Sequence, residues 1–170
     1  MKTFILLSAI PGAGKSTWAE QYRLTHKHVL VVSSDEIRKE VTGEYQSFQH
    51  EKEVWDLFFK RIIEYRDKYD DVTVIADSTN IQNKYRMIYA KNVVGFDRKV
   101  LIVFKKTFET ILKQNKERNE NKIVPENILK SMWDAYEDPS DEVIDNFDEY
   151  IVIHKWFDSS KVKQSFHYKG

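Results

Sequence analysis

The run Gly12-Ala13-Gly14-Lys15-Ser16-Thr17 holds the residue types that cradle a polyphosphate. Glycines let successive backbone N–H groups turn inward onto phosphate oxygens, and the N-terminus of a following helix adds partial positive charge. Lys15 would reach the β- and γ-phosphates of a nucleoside triphosphate such as ATP. Ser16 would coordinate Mg²⁺ directly, and Thr17 would complete the loop. Ala9 stands where the usual G-x-x-x-x-G-K-[ST] pattern has its first glycine. Alanine there would cost roughly 1–2 kcal/mol if the position demanded positive φ.

Two further groups and a basic cluster carry chemistry. Ser33-Ser34-Asp35-Glu36-Ile37-Arg38 places a carboxylate three residues before a guanidinium, on one side of a helical turn. Asp35 could take a proton from an attacking hydroxyl while Arg38 anchors its substrate. An ordinary helix cap is the competing role for Asp35. Asp77-Ser78-Thr79-Asn80 closes an apolar run. Asp77 is placed to assist a metal through its water shell, the alternative being a turn or capping residue. Lys113, Lys116, Arg118 and Lys122 form a basic cluster before Pro125. A mobile cation there could close on a transferring phosphoryl group, or the cluster could simply complement a helix end.

The elements that must position these groups alternate. Strands are expected at Lys2–Ser8, Val29–Val32, Val72–Ala76, Val100–Phe104 and Ile151–Ile153. Helices are expected at Ser16–His26, Asp35–Glu40 (capped by Ser34 or Asp35), Phe48–Lys68, Phe108–Glu117 and Glu126–Glu137, the last opened by Pro125. Val54, Leu57, Phe58, Ile62 and Tyr65 share one helical face, as do Ile81, Tyr85, Ile88 and Tyr89. Ile128, Leu129, Met132, Trp133 and Tyr136 are assigned to core, with base stacking as the competing role. Glu137–Glu142 reads as a solvated acidic turn, and 156–170 has no period that assigns it. Such alternation implies an α/β fold with a parallel sheet covered by helices on both faces. Ligands then sit beyond the carboxyl ends of the strands, where the three chemical groups fall. Residues 1–170 are expected to form one domain, with 113–125 as a lid.

Composition narrows the classes. Twenty-seven basic residues balance 27 acidic ones, so no global field draws in nucleic acid. Cysteine is absent, which removes disulfides and thiolate metal sites. The five histidines show no ligand spacing. No leader pattern and no membrane-spanning run stands out, so a cytoplasmic location without membrane contact is the expectation. The basic tail, Lys155–Lys169, could supply affinity or be a frayed end.

Pro-Gly-Ala-Gly-Lys-Ser-Thr-Trp-Ala (11–19), Ser-Asp-Glu-Ile-Arg (34–38), Asp-Ser-Thr-Asn (77–80) and Gln-Asn-Lys-Glu-Arg…Val-Pro-Glu-Asn-Ile-Leu-Lys-Ser-Met (114–132) stand in this order. Together they resemble the kinase domain of phage-type polynucleotide 5′-hydroxyl kinases, within the P-loop kinase superfamily. The resemblance runs to about residue 137. It implies a five-stranded parallel sheet, a short helical lid, and transfer of the ATP γ-phosphate to a 5′-OH RNA or DNA end. By that resemblance Lys15 and Ser16 hold phosphates and Mg²⁺, Asp35 is the general base, and Arg38 grips the phosphate beside the acceptor nucleoside. Asp77 and Thr79 support the acceptor side, and Arg118 is the lid arginine on the ATP phosphates. Gln114 replaces a second lid arginine, and 170 residues leave no room for the phage enzymes' phosphatase domain. A small-molecule hydroxyl kinase on the same scaffold and an ATP-binding switch protein are the rival readings.

Overall fold

The computed structural model describes residues 1–154 and the backbone of residues 166–168. Five strands, β1 (Lys2–Ser8), β2 (Val29–Ser33), β3 (Val72–Asp77), β4 (Arg98–Phe104) and β5 (Glu149–Ile153), run parallel in the order β2-β3-β1-β4-β5. The expected parallel sheet is therefore present. A sixth strand, β6 (Phe166–Tyr168), joins its edge antiparallel to β5, in the stretch the sequence left unassigned. The rest of the basic tail, 155–165 and 169–170, lies outside the described residues.

Period-two alternation decides which helices each strand face receives. Phe4, Leu6, Val74, Ala76, Leu101 and Val103 pack against Val54, Phe58 and Ile62 of α3 (Glu51–Lys68) and Tyr89 of α4 (Asn83–Asn92). Ile5, Leu7, Ile75, Val100 and Ile102 face Trp18 of α1 (Lys15–Thr25), Ile111 of α5 (Phe108–Lys116) and Leu129 of α6 (Glu126–Ala135). Each of the Val, Leu, Ile and Phe side chains, fully buried, contributes roughly 1.5–3 kcal/mol.

Several boundaries differ from expectation for local reasons. Ser33, not Ser34 or Asp35, caps α2 (Ser34–Thr42), accepting from the Glu36 N–H. That leaves the Asp35 carboxylate free for other work. Helix α3 begins at Glu51 instead of Phe48, because Gly43 at φ 86° ends α2 and 44–50 form a connecting loop. The acidic stretch after Tyr136 is no simple turn. Ser140 caps a further helix, α7 (Asp141–Asp145), whose Val143 is buried. On α6 only Leu129 is buried, and Ile128 stands 44% exposed. Tyr85 and Ile88 likewise face outward. Ala9 needs no positive φ, since His28 and Asn80 are the only described non-glycine residues with one.

Candidate active site

Sheet order brings the three strand exits together. Strand β1 lies between β3 and β4, so the chain changes direction across the sheet beside β1, and the crevice opens at its carboxyl end. Ser33 pairs in register with Asp77, and the Ala9 N–H donates to the Thr79 carbonyl at 2.9 Å. The phosphate loop, the Asp35 turn and the Asp77 turn thus become neighbours.

The loop is built as an anion cradle. Gly12 and Gly14 sit at φ 91° and 93°, a region glycine occupies without strain. A Cβ on Gly12 would lie 2.7 Å from the Ile111 carbonyl oxygen, so α5 packs directly on the loop backbone. Helix α1 has no side-chain cap and no acidic residue in its first turn, which leaves its N-terminal amides and dipole for a ligand. A cavity of about 330 Å³ stands over them, lined by Gly12, Gly14, Lys15, Ser16, Thr17, Gln114, Glu117 and Arg118. Ala13 is not among them. Its side chain is buried and its N–H donates back to the Ile10 carbonyl.

At the foot of the loop the Ser16 hydroxyl donates to Asp77 Oδ2 at 2.7 Å, and Lys15 Nζ lies 3.7 Å from Asp77 Oδ1. These hard oxygens fit Mg²⁺, which keeps several waters and takes the rest of its shell from phosphates. Among the described residues no group of three or more His, Cys, Asp or Glu could hold a metal ion.

A second cavity, about 510 Å³, joins Lys15, Asp35, Arg38, Asp77, Thr79, Arg118 and Lys122. Arg38 is 5% exposed. Its Nη1 donates to Asp35 Oδ1 at 3.0 Å, its Nε and Nη2 donate to both Glu51 oxygens, and its guanidinium lies 4.7 Å from the Phe48 ring centroid. Arg118 Nη2 reaches to 3.7 Å from Asp35 Oδ2, bridging the segment after α5 to the α2 turn. Of the basic cluster only Arg118 and Lys122 line this cavity; Lys113 and Lys116 are exposed elsewhere. Lys122 donates to Glu36 Oε1 at 3.1 Å and sits over the Tyr45 ring. Asn115 holds the segment's base, exchanging hydrogen bonds with Val124 N–H and C=O at 3.1 and 2.8 Å.

The sequence reading missed Glu51, Tyr45, Gln46 and Phe48. No periodicity ties Glu51 to Arg38 thirteen residues earlier. A buried guanidinium needs acceptors for five N–H donors, but nothing in the sequence marked Arg38 as buried. Asn80 has an architectural part. At φ 45° its amide donates to Leu7 C=O and Ser78 Oγ, and its own carbonyl accepts from the Ser8 hydroxyl. Ser8 Oγ in turn accepts from Arg86, which is wholly buried.

Comparisons with known proteins agree with this architecture. The family profile of the AAA domain, AAA_33, matches residues 5–139. A chain of the Pnkp1/Rnl/Hen1 RNA repair complex superposes with TM-score 0.64 at 22% identity, over 77% of this chain and 42% of that one. This chain therefore spans under half the length of that relative. A sugar kinase from Janibacter sp. gives TM-score 0.59 at 16% identity, covering 90% and 84% of the two chains. Kti12 of Chaetomium thermophilum in complex with ADP-AlF3 gives 0.62 at 14%, covering 89% and 88%. No curated protein matches the sequence. With the profile covering most of its length and the phosphate loop inside the match, the chain belongs to the AAA_33 family and has an α/β P-loop NTPase-like fold.

Proposed function

We propose that this domain transfers the γ-phosphate of ATP to an alcohol held at Asp35, and that the alcohol is the 5′-OH end of a polynucleotide. One observation carries the reading: Lys15, Asp35, Arg38 and Arg118 line a single cavity, with Arg118 spanning from the phosphate side to the Asp35 carboxylate. Asp35 takes the proton of the acceptor hydroxyl as its oxygen bonds to the γ-phosphorus. The bond from that phosphorus to the β–γ bridging oxygen breaks, and ADP leaves. Gly12, Gly14, Lys15, Ser16 and Thr17 bind the phosphates. Arg118 faces charge spread over the transferring group, and residues 113–125 act as its lid. Ser16 would hold Mg²⁺ directly and Asp77 would do so through a water, and the bound ion would supply charge neutralisation. The RNA repair complex among the structural neighbours supports the polynucleotide acceptor.

A small-molecule alcohol is the second reading, and a specific contact favours it. Arg38, expected to grip an acceptor phosphate, is already engaged by Asp35 and Glu51. Incubation with γ-labelled ATP and a panel of 5′-OH RNA and DNA oligonucleotides, nucleosides and sugars separates the two. Label on the oligonucleotides above all others supports the first reading, and label on sugars alone overturns it. Lys15→Ala should abolish both nucleotide binding and transfer; turnover in that variant would contradict the loop assignment.

A further inference from the structure

Four of the eight large apolar side chains that stand exposed among the described residues gather around one cleft: Phe48, Tyr85, Ile88 and Ile128. Phe48 belongs to the cavity that holds Asp35. The other three, 43–44% exposed, line a groove of about 670 Å³ between α3, α4 and α6. Such a concentration of exposed apolar surface marks a binding site more often than chance packing.

Three properties of the groove define its occupant. It is continuous with the Asp35 cavity, because Trp55, Thr79, Ile128 and Met132 line both. It has no charged residue in its lining, whereas the Asp35 end carries five charged side chains around one carboxylate-and-guanidinium core. Its rings are held in place: Phe59 stacks on Tyr89 at 5.0 Å, and Trp55 stands edge-on to Phe58 at 5.2 Å. A phosphodiester would find no cation in it. A polyol would lose water to apolar walls that return few hydrogen bonds. A flat heterocycle loses little on entering and gains ring contacts, and Thr79 and Ser131 are among the residues that line the groove.

Resting on the reading of Asp35 as the base that activates the acceptor, we propose that this groove seats a nucleobase of the acceptor. The acceptor is then a nucleoside-bearing alcohol, recognised through its base as well as through the hydroxyl at Asp35. Sugars and other polyols are poor acceptors on this account.

Two measurements test it. In the first, an uncharged nucleoside is titrated into protein carrying labelled isoleucine and methionine methyls. The methyls of Ile88, Ile128 and Met132 should shift, while those of Ile5 and Ile62 in the core should not. In the second, Tyr85→Ala and Ile88→Ala, both at exposed positions, should raise the acceptor KM by about tenfold or more and leave the ATP KM unchanged. An oligonucleotide made abasic at one of its first two residues should lose acceptor efficiency to a similar degree. Unmoved methyls at millimolar nucleoside overturn the groove assignment, as does an unchanged acceptor KM in both variants. If the methyls shift but no alcohol is phosphorylated, the groove assignment stands and the reading of Asp35 fails.

Discussion

Glu51 grips Arg38 along one whole edge of its guanidinium, Nε donating to Oε2 at 3.0 Å and Nη2 to Oε1 at 2.8 Å. Bidentate pairing of this kind fixes orientation as well as charge. It aims the remaining Nη1 at Asp35 and sets where that carboxylate stands. Glu51→Gln should therefore lower stability by about 1–2 kcal/mol, since Glu51 is partly exposed and Arg38 is not. Thermal unfolding should show a Tm lower by about 3–6 °C. An unchanged Tm would mean the pair adds nothing to the fold.

Asp35→Asn keeps the shape of the site and removes the proton acceptor. Transfer should fall by about 10²–10⁴ while ATP affinity stays near that of the parent protein. Single-turnover transfer and nucleotide-binding titration, run side by side, measure the two. Near-normal transfer would take the base role from Asp35.

Burial draws the Lys106 ammonium down to about 8 from 10.5, with only 8% of the residue exposed. The unfolded chain thus holds that proton more tightly than the folded one between about pH 8 and 10.5, and in this window the group adds stability as pH rises. The full effect is at most about 3 kcal/mol. Lys106→Met should be more stable than the parent at pH 7 by about 1–3 kcal/mol, and that gap should narrow by pH 10. Urea unfolding of both proteins at the two pH values checks the sign. Burial raises the phenols of Tyr89 and Tyr136, but they act alike in both proteins and cancel in the comparison.

Arg86 is wholly buried, and its guanidinium donates to Ser8 Oγ, Asn83 Oδ1 and the Glu137 carbonyl. The same burial pulls its pKa below the usual guanidinium range. Arg86→Met should strand those acceptors and lower stability by about 2–4 kcal/mol. Urea midpoints should drop with the m-value unchanged. Loosening of the turn that carries Asp77 should follow, visible as faster amide exchange at Thr79 and Asn80.

What the sequence disclosed tracks how local each signal was. The strands read true because apolar runs such as Val29–Val32 and Val72–Ala76 need only a sheet buried on both faces. The turn that opens α1 was legible because Gly12 and Gly14 take their positive φ within one short stretch of chain. Asp35 and Arg38 met as their spacing required. Contacts between distant segments left no such trace: Glu51 on Arg38, Arg118 on Asp35, Asn115 on Val124. Apolar periodicity on α4 marked one face, and on α6 it was read as core, because spacing reports a face and not what covers it. There Tyr85, Ile88 and Ile128 open onto the groove. Helix α7 was hidden by its length of five residues, too short to show a period.

The absent side chain of Gly12 ties two parts of the site to a common datum. Because α5 rests on the loop backbone itself, the reach of Arg118 is gauged from the same peptide groups that would meet the triphosphate. With Asn115 stapling the far end of the segment to its root, any swing of 116–123 is that of a closed ring on a fixed bearing. In the proposed transfer, such a ring would bring the guanidinium to one spot each time.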